Sequence, residues 1–142
     1  MTDNYSVIET AIQAVLVALT SIFTTGNVTL GDYAPLDGGN DRVAVITPGA
    51  FSRERGTMTS NLYTWNFNID IFQRYINSAN TYTAFKVMRA AVINAFAGQL
   101  GIADVTVEGI AANGDPTMAI KTGTNIPTHM VQVLTITIQE FV

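Results

Sequence analysis

Two segments of the chain alternate apolar and polar side chains with a period of two, the pattern of half-buried β-strands. In residues 62–75, LYTWNFNIDIFQRY, large apolar side chains alternate with Thr, Asn and Asp. In residues 130–142, MVQVLTITIQEFV, Leu134, Ile136 and Ile138 alternate with threonines. Because successive side chains of a strand point to opposite faces of its sheet, each segment is predicted to bury one face and leave the other polar.

Two other segments carry the longer periodicity of α-helices. The first, residues 4–23, has apolar side chains on one face and on much of the rest of its surface, so the helix is apolar nearly all round. Ser6 with Glu9 has the spacing of a capping box at its start. Its most apolar part, residues 11–23, is too short to span a bilayer. The second helix is predicted over about residues 81–99, with Ser78 or Asn80 as candidate N-caps.

The remaining segments complete the predicted fold. Residues 42–47 and 104–110 are predicted to be short strands, residues 48–61 a long arm, and residues 111–128 a second long loop rich in Gly and Pro. Helices and strands in this order predict one α+β domain over residues 1–142. One layer is predicted to be an antiparallel or mixed sheet of about four strands, and the other to be two helices packed on one face of that sheet. A long hairpin arm extends from the domain.

Composition narrows the function classes. Charged residues make up 13% of the chain against about 25% in a typical domain, so its exterior is either unusually neutral or partly buried against other subunits. The net charge of −4 argues against a general affinity for nucleic acid. The chain has no cysteine, which excludes disulfides and thiolate metal sites.

Residues for catalysis are sparse. His129 is the sole histidine and has no partner at motif spacing, so a loop or strand-edge position is favoured over a catalytic or metal-binding role. The segment 31–41, GDYAPLDGGND, has three aspartates but lacks the ligand spacing of a calcium loop, and its glycines suit a turn equally well. No nucleotide-binding or nucleophile motif is present. We therefore expect a protein that is not an enzyme and needs no cofactor or metal.

The two long connections hold the candidate interface residues. The arm combines an aromatic residue and a methionine with a mixed-charge cluster, which is typical of interface hot spots, although arginines also suit phosphate and the cluster also suits a solvated hairpin tip. The second loop is more apolar than a free loop requires. The candidates are Phe51, Arg53, Glu54, Arg55 and Met58 in the arm and Met118, Ile120 and Lys121 in the loop.

The ordered set of these features resembles the tail terminator (tail completion) proteins of long-tailed bacteriophages. The features are the opening apolar helix, the strand leading into a long arm, and the aromatic strand YTWNFNIDIF (63–72). The helix TYTAFKVMRAAVINAF (81–96) and the final strand VLTITIQEF (133–141) complete the set. The resemblance covers nearly the whole chain, and no single part of it is a specific signature.

The resemblance implies a structural virion protein, assembled in the host cytoplasm and without membrane contact. It would form a homo-oligomeric ring, usually a hexamer, that ends the tail tube, binds the tail tube protein and joins the tube to the head connector protein. DNA would pass through the lumen without specific binding, which an acidic chain suits because like charges repel phosphate. A head–tail connector subunit or a tail tube protein is the alternative. A small-ligand binding domain or an enzyme, with the arm as a lid over a pocket, is a further alternative from a different class.

Overall fold

The computed structural model describes residues 5–37, 40–55, 61–97 and 100–141, with the backbone alone for residues 37 and 53–55. A three-residue 3-10 turn, Thr25–Asn27, precedes the first strand. The helices are α1 (Tyr5–Val17), α2 (Ala34–Asp37) and α3 (Ser78–Ala95), and the strands are β1 (Val28–Leu30), β2 (Arg42–Arg55), β3 (Asn61–Arg74), β4 (Val105–Ile120) and β5 (Pro127–Phe141).

The strands form one mixed five-stranded sheet in the order β1-β2-β3-β5-β4. β1 runs parallel to β2, and the other three pairs are antiparallel. The predicted α+β class is confirmed. The structure adds the short strand β1 and the one-turn helix α2 to the four strands and two helices expected from the sequence.

The main core lies between one face of the sheet and the two long helices. The alternating apolar residues of β3 and β5 supply the sheet side, and the stripes of α1 and α3 supply the other side. Both long helices therefore cover the same face, as predicted. Its largest fully buried side chains are Phe67, Phe85, Ile8, Ile12, Leu16, Ile46, Ile69, Ile71, Met88, Leu134, Ile136 and Ile138.

The predicted arm differs from the structure. β2 continues past Pro48 as far as Arg55, so residues 48–55 belong to the sheet, while residues 56–60 lie outside the described residues. A register shift between Pro48 and Phe51 accommodates the proline, which has no N–H for the ladder. Glycine is required at position 49, because a Cβ there would lie 2.8 Å from the Asn66 carbonyl oxygen.

The second predicted loop differs in the same way. Residues 111–120 form the second half of β4, and only the short turn before β5 remains as a loop. The register shift between Asn113 and Thr117 takes Gly114 and Pro116 out of the regular ladder, and the shift between Val107 and Gly109 leaves out Glu108. Gln132 holds the second bulge, since its Nε2 donates to the Gly114 carbonyl at 2.8 Å.

The helix ends also correct the sequence prediction. α1 ends at Val17 rather than at residue 23, and Ser6 lies inside it, so the proposed capping box is wrong. The Glu9 carboxylate instead accepts a hydrogen bond from the Tyr5 hydroxyl at 3.3 Å. The N-cap of α3 is Asn77, whose side-chain oxygen accepts from the Asn80 N–H at 2.9 Å, rather than Ser78 or Asn80.

Candidate functional site

Both edges of the sheet have backbone that no described strand covers. β4 forms one edge along its whole length, and β1 pairs with β2 only at residues 44–46, which leaves the rest of β2 as the other edge. Residues 51–55 of β2, which follow its register shift, form regular strand. Residues 109–113 of β4, which lie between two register shifts, also form regular strand. Unpaired N–H and C=O groups along a regular strand are a template for pairing with another chain.

From the row of Thr47 to the row of Gln139, the sheet face opposite α1 and α3 is mainly polar, and its described paired residues carry no charge. Its central hydrogen bonds run between β5 and β3, from the Thr135 hydroxyl to Asn68 Oδ1 at 3.0 Å and from the Thr137 hydroxyl to Asn66 Oδ1 at 2.8 Å. We call this surface the neutral face. It consists of Thr47, Ser52, Thr64, Asn66, Asn68, Thr106, Ala111, Thr135, Thr137 and Gln139, which cross-strand pairing places in adjacent rows.

The loop that contains α2 covers the lower part of this same side of the sheet. Leu36 packs against a small cluster of Val43, Val45 and Phe72. The Tyr33 hydroxyl donates to Asp70 at 2.7 Å. Burial, and then the hydrogen bond and negative charge of the carboxylate, raise the pKa of Tyr33 to about 12. The loop therefore leaves only the upper part, the neutral face, uncovered.

An aromatic cluster closes the end of the core near the last residues of β2 and the first residues of β3. Trp65 stacks with Phe51 at a centroid distance of 4.3 Å and contacts Tyr5 and Tyr63 at 5.3 and 6.0 Å. Trp65 is buried, whereas Phe51 is 51% exposed. The indole N–H donates to Glu140 Oε1 at 3.0 Å, and the other oxygen of this fully buried carboxylate has no hydrogen-bond partner.

The predicted interface residues do not form one site. Phe51 lies in the aromatic cluster, and Arg53, Glu54 and Arg55 continue β2 opposite residues 61–63 of β3, with side chains outside the described part. Met58 lies wholly outside the described residues. In the second set, Met118 is half-buried opposite Met130, while Ile120 and Lys121 lie at the far end of the sheet.

Ile120 and Lys121 line a cavity of about 700 Å³ that the sequence analysis did not predict. Its described lining residues are Leu36, Arg74, Tyr75, Ala119, Ile120, Lys121, Thr122, Pro127, Thr128 and His129. His129 lies inside β5 and is buried, with its Nε2 at 3.0 Å from the Asn40 carbonyl. A carbonyl oxygen only accepts, so Nε2 carries the proton in this hydrogen bond. The sequence signal for the cavity was a basic residue at the end of each of two strands, Arg74 as the last residue of β3 and Lys121 directly after β4. These two residues are distant along the chain, so the sequence pattern alone does not bring them together.

The aspartates of segment 31–41 do not form a cation site in the part of the chain that is described. Asp32 Oδ1 accepts a hydrogen bond from the Ala34 N–H at 2.9 Å, which fits the turn interpretation. Across residues 5–37, 40–55, 61–97 and 100–141, no three His, Asp or Glu side chains are grouped so as to hold a metal ion. None of the helices in these ranges has the length and apolar character needed to cross a membrane.

Comparison of the sequence with protein-family models and with curated proteins found no match. The sheet edges, the neutral face and the cavity are therefore the features from which a function can be proposed.

Proposed function

We propose that the chain is a structural subunit of a ring in the tail or neck of a bacteriophage virion, of the tail-terminator type. Copies of the chain would assemble in the host cytoplasm into a homo-oligomer, with about six subunits by the resemblance. The ring would end the tail tube and bind both the tail tube protein and the head connector protein. The observation that carries this proposal is the presence of two open edges on one sheet.

The two edges are complementary to each other, so one copy of the chain could pair with the next. β2, β3, β5 and β4 alternate in direction, so β4 runs antiparallel to β2. The β4 edge of one copy can therefore extend the sheet of a neighbour by antiparallel pairing along its β2 edge. A contact between two different surfaces of identical subunits repeats head to tail, and it closes into a ring when the rotation between subunits allows.

The neutral face supports the placement of this sheet around a DNA channel. In a ring of continued sheets with α1 and α3 outside, the neutral face would line the lumen. Hydroxyl and amide groups there offer DNA no cationic side chain, and the net charge of −4 adds weak repulsion of phosphate. DNA would then pass without specific binding.

The mass of the purified protein tests the proposal. Native mass spectrometry and electron microscopy should show a closed ring, which head-to-tail contacts allow, with about six subunits by the resemblance. Open-ended tubes would favour a tail tube protein. A monomer that persists at millimolar concentration would contradict the proposal.

Two adjacent proline variants test the edge itself. Ala111 and Ala112 lie in the regular part of β4, where successive N–H groups point to opposite edges. Proline removes one N–H, so one variant loses a bond to β5 and the other loses a donor on the open edge. We expect one of the two to keep its melting temperature and lose the ring. If both proline variants fold and still form normal rings, the β4 edge is excluded as the contact between subunits.

A further inference from the structure

The cavity at the end of the sheet farthest from the aromatic cluster is formed where two antiparallel strand pairs end. Ala119, His129 and Arg74 lie in one cross-strand row. The Tyr75 N–H donates to the Thr128 carbonyl at 2.9 Å, which ties the end of β3 to the start of β5. The Lys121 N–H donates to the Ile126 carbonyl at 2.9 Å, which closes the turn between β4 and β5. The walls are therefore hydrogen-bonded backbone, and the site is largely preformed.

The charged residues among the described lining of the cavity are basic, whereas the chain as a whole is acidic. The chain has eleven acidic and seven basic residues, yet the described lining residues include Arg74 and Lys121 and no carboxylate. Arg74 forms an ion pair with Asp41, with 3.5 Å between a terminal nitrogen of the guanidinium and Asp41 Oδ1. Both side chains of this ion pair are largely exposed, so the pair is weak and leaves the guanidinium available to a ligand.

Hydroxyl-bearing residues line the cavity together with the two basic residues. They are Tyr75, Thr122 and Thr128. The Thr128 hydroxyl makes a long bond, 3.3 Å, to the Ala119 carbonyl. A planar guanidinium, an ammonium and several hydroxyls together suit an anion with several oxygens, and a phosphate group accepts from all three donor types.

The rest of the lining is apolar. Leu36, Ile120 and Pro127 face the same space, and Ile120 is 54% exposed. A volume of about 700 Å³ lies within the range of small-molecule sites and exceeds what a bare inorganic ion needs. The combination of cations, hydroxyls and apolar surface suits a molecule with an anionic end and an apolar or aromatic body.

We propose that this cavity binds a small molecule that carries a phosphate monoester. Arg74 and Lys121 would bind the phosphate oxygens, and Leu36, Ile120 and Pro127 would contact the organic part. The cavity is formed within one copy of the chain, so its binding can be tested separately from self-association.

Isothermal titration calorimetry with adenosine monophosphate, adenosine and inorganic phosphate tests this inference on the full chain. We expect adenosine monophosphate to bind one per chain with a dissociation constant of about 1 mM or lower, and adenosine to bind at least about tenfold more weakly. A single-stranded thymidine oligonucleotide without terminal phosphate forms the second arm. Binding of the oligonucleotide without binding of the monophosphate would overturn the small-molecule assignment.

Two charge-matched variants locate the site. Lys121→Gln removes a cation from the cavity, whereas Lys86→Gln removes one from α3, where the ammonium lies 4.7 Å from the Tyr82 ring centroid. We expect Lys121→Gln to weaken binding of the monophosphate about tenfold and Lys86→Gln to leave it unchanged. Equal losses in both variants, equal affinity for adenosine, or no detectable heat at about 10 mM probe would each overturn the proposal.

Discussion

The hydrogen bond between the Trp65 indole and the Glu140 side chain leads to a testable prediction about how the core tolerates a buried carboxyl group. Glu140 is fully buried, and its Oε1 accepts from the indole N–H at 3.0 Å. Its Oε2 has no hydrogen-bond partner. Within the described residues, the Trp65 indole is the side chain that donates to this carboxyl group.

Three variants separate the contributions of the two side chains. Trp65→Phe keeps an aromatic ring but removes the donor from the buried carboxyl group, and we expect a cost of about 3 kcal/mol, of which the smaller ring accounts for about 1 kcal/mol. Glu140→Leu leaves the indole N–H unpaired but also removes the buried carboxyl group, so we expect a net cost of about 1 kcal/mol. In the double variant both groups are apolar, and the smaller ring should cost about 1 kcal/mol.

The free energy of unfolding is the quantity to measure, by urea denaturation at pH 7 followed by far-ultraviolet circular dichroism. Circular dichroism is needed because Trp65 is the sole tryptophan and two of the variants lack it. The single costs add to about 4 kcal/mol while the double variant should lose about 1 kcal/mol, which corresponds to a coupling of about 3 kcal/mol. Gln139→Leu, on the neutral face of the same strand, is the control and should change stability by less than about 0.5 kcal/mol.

A double variant whose loss equals the sum of the two single losses would refute this reasoning. Additivity within about 0.5 kcal/mol would mean that the indole and the carboxylate stabilise the fold independently. The buried carboxylate would then have to be stabilised by groups other than Trp65.

Three further predictions concern other parts of the sheet and α3. The pKa of Tyr33 is raised from 10.0 to about 12, so its neutral form is favoured in the folded state, and the resulting stabilisation, present below pH 10, should fall as the pH rises to about 12. Tyr33→Phe should remove this pH dependence in thermal unfolding. Gly49→Ala places a Cβ 2.8 Å from the Asn66 carbonyl oxygen and should cost about 1–3 kcal/mol in urea unfolding, and an unchanged midpoint would contradict the close approach. Asn77→Ala removes the side-chain acceptor at the start of α3 and should cost about 1 kcal/mol, whereas Asn77→Ser should restore most of it.

The sequence by itself determined which faces of the central strands and long helices are buried. Tyr63, Trp65, Phe67, Ile69 and Ile71 are all buried on one side of β3, as their alternation predicts. This succeeds because the direction of a side chain on a strand or helix depends on local periodicity, which the sequence carries directly. The α+β class follows from the order of such segments.

The tertiary structure decided how far the outer strands extend. Pro48, Gly49, Gly114 and Pro116 are turn residues by local criteria, and they favour loops when the segment is considered alone. In the folded chain these residues lie in bulges of β2 and β4, where the neighbouring strands keep the pairing on both sides. A bulge exists only when a partner strand is present, so local composition does not distinguish it from a loop.

The candidate sites depend still more on the tertiary structure. Arg74, Lys121 and His129 come from the end of β3, the turn after β4 and the start of β5, and they meet because β5 lies between β3 and β4. The same strand order leaves most of β2 and all of β4 at open edges. Strand order is a property of long-range pairing, so the sequence pattern predicts that a sheet forms but leaves its edges and cavities to the packing of distant segments.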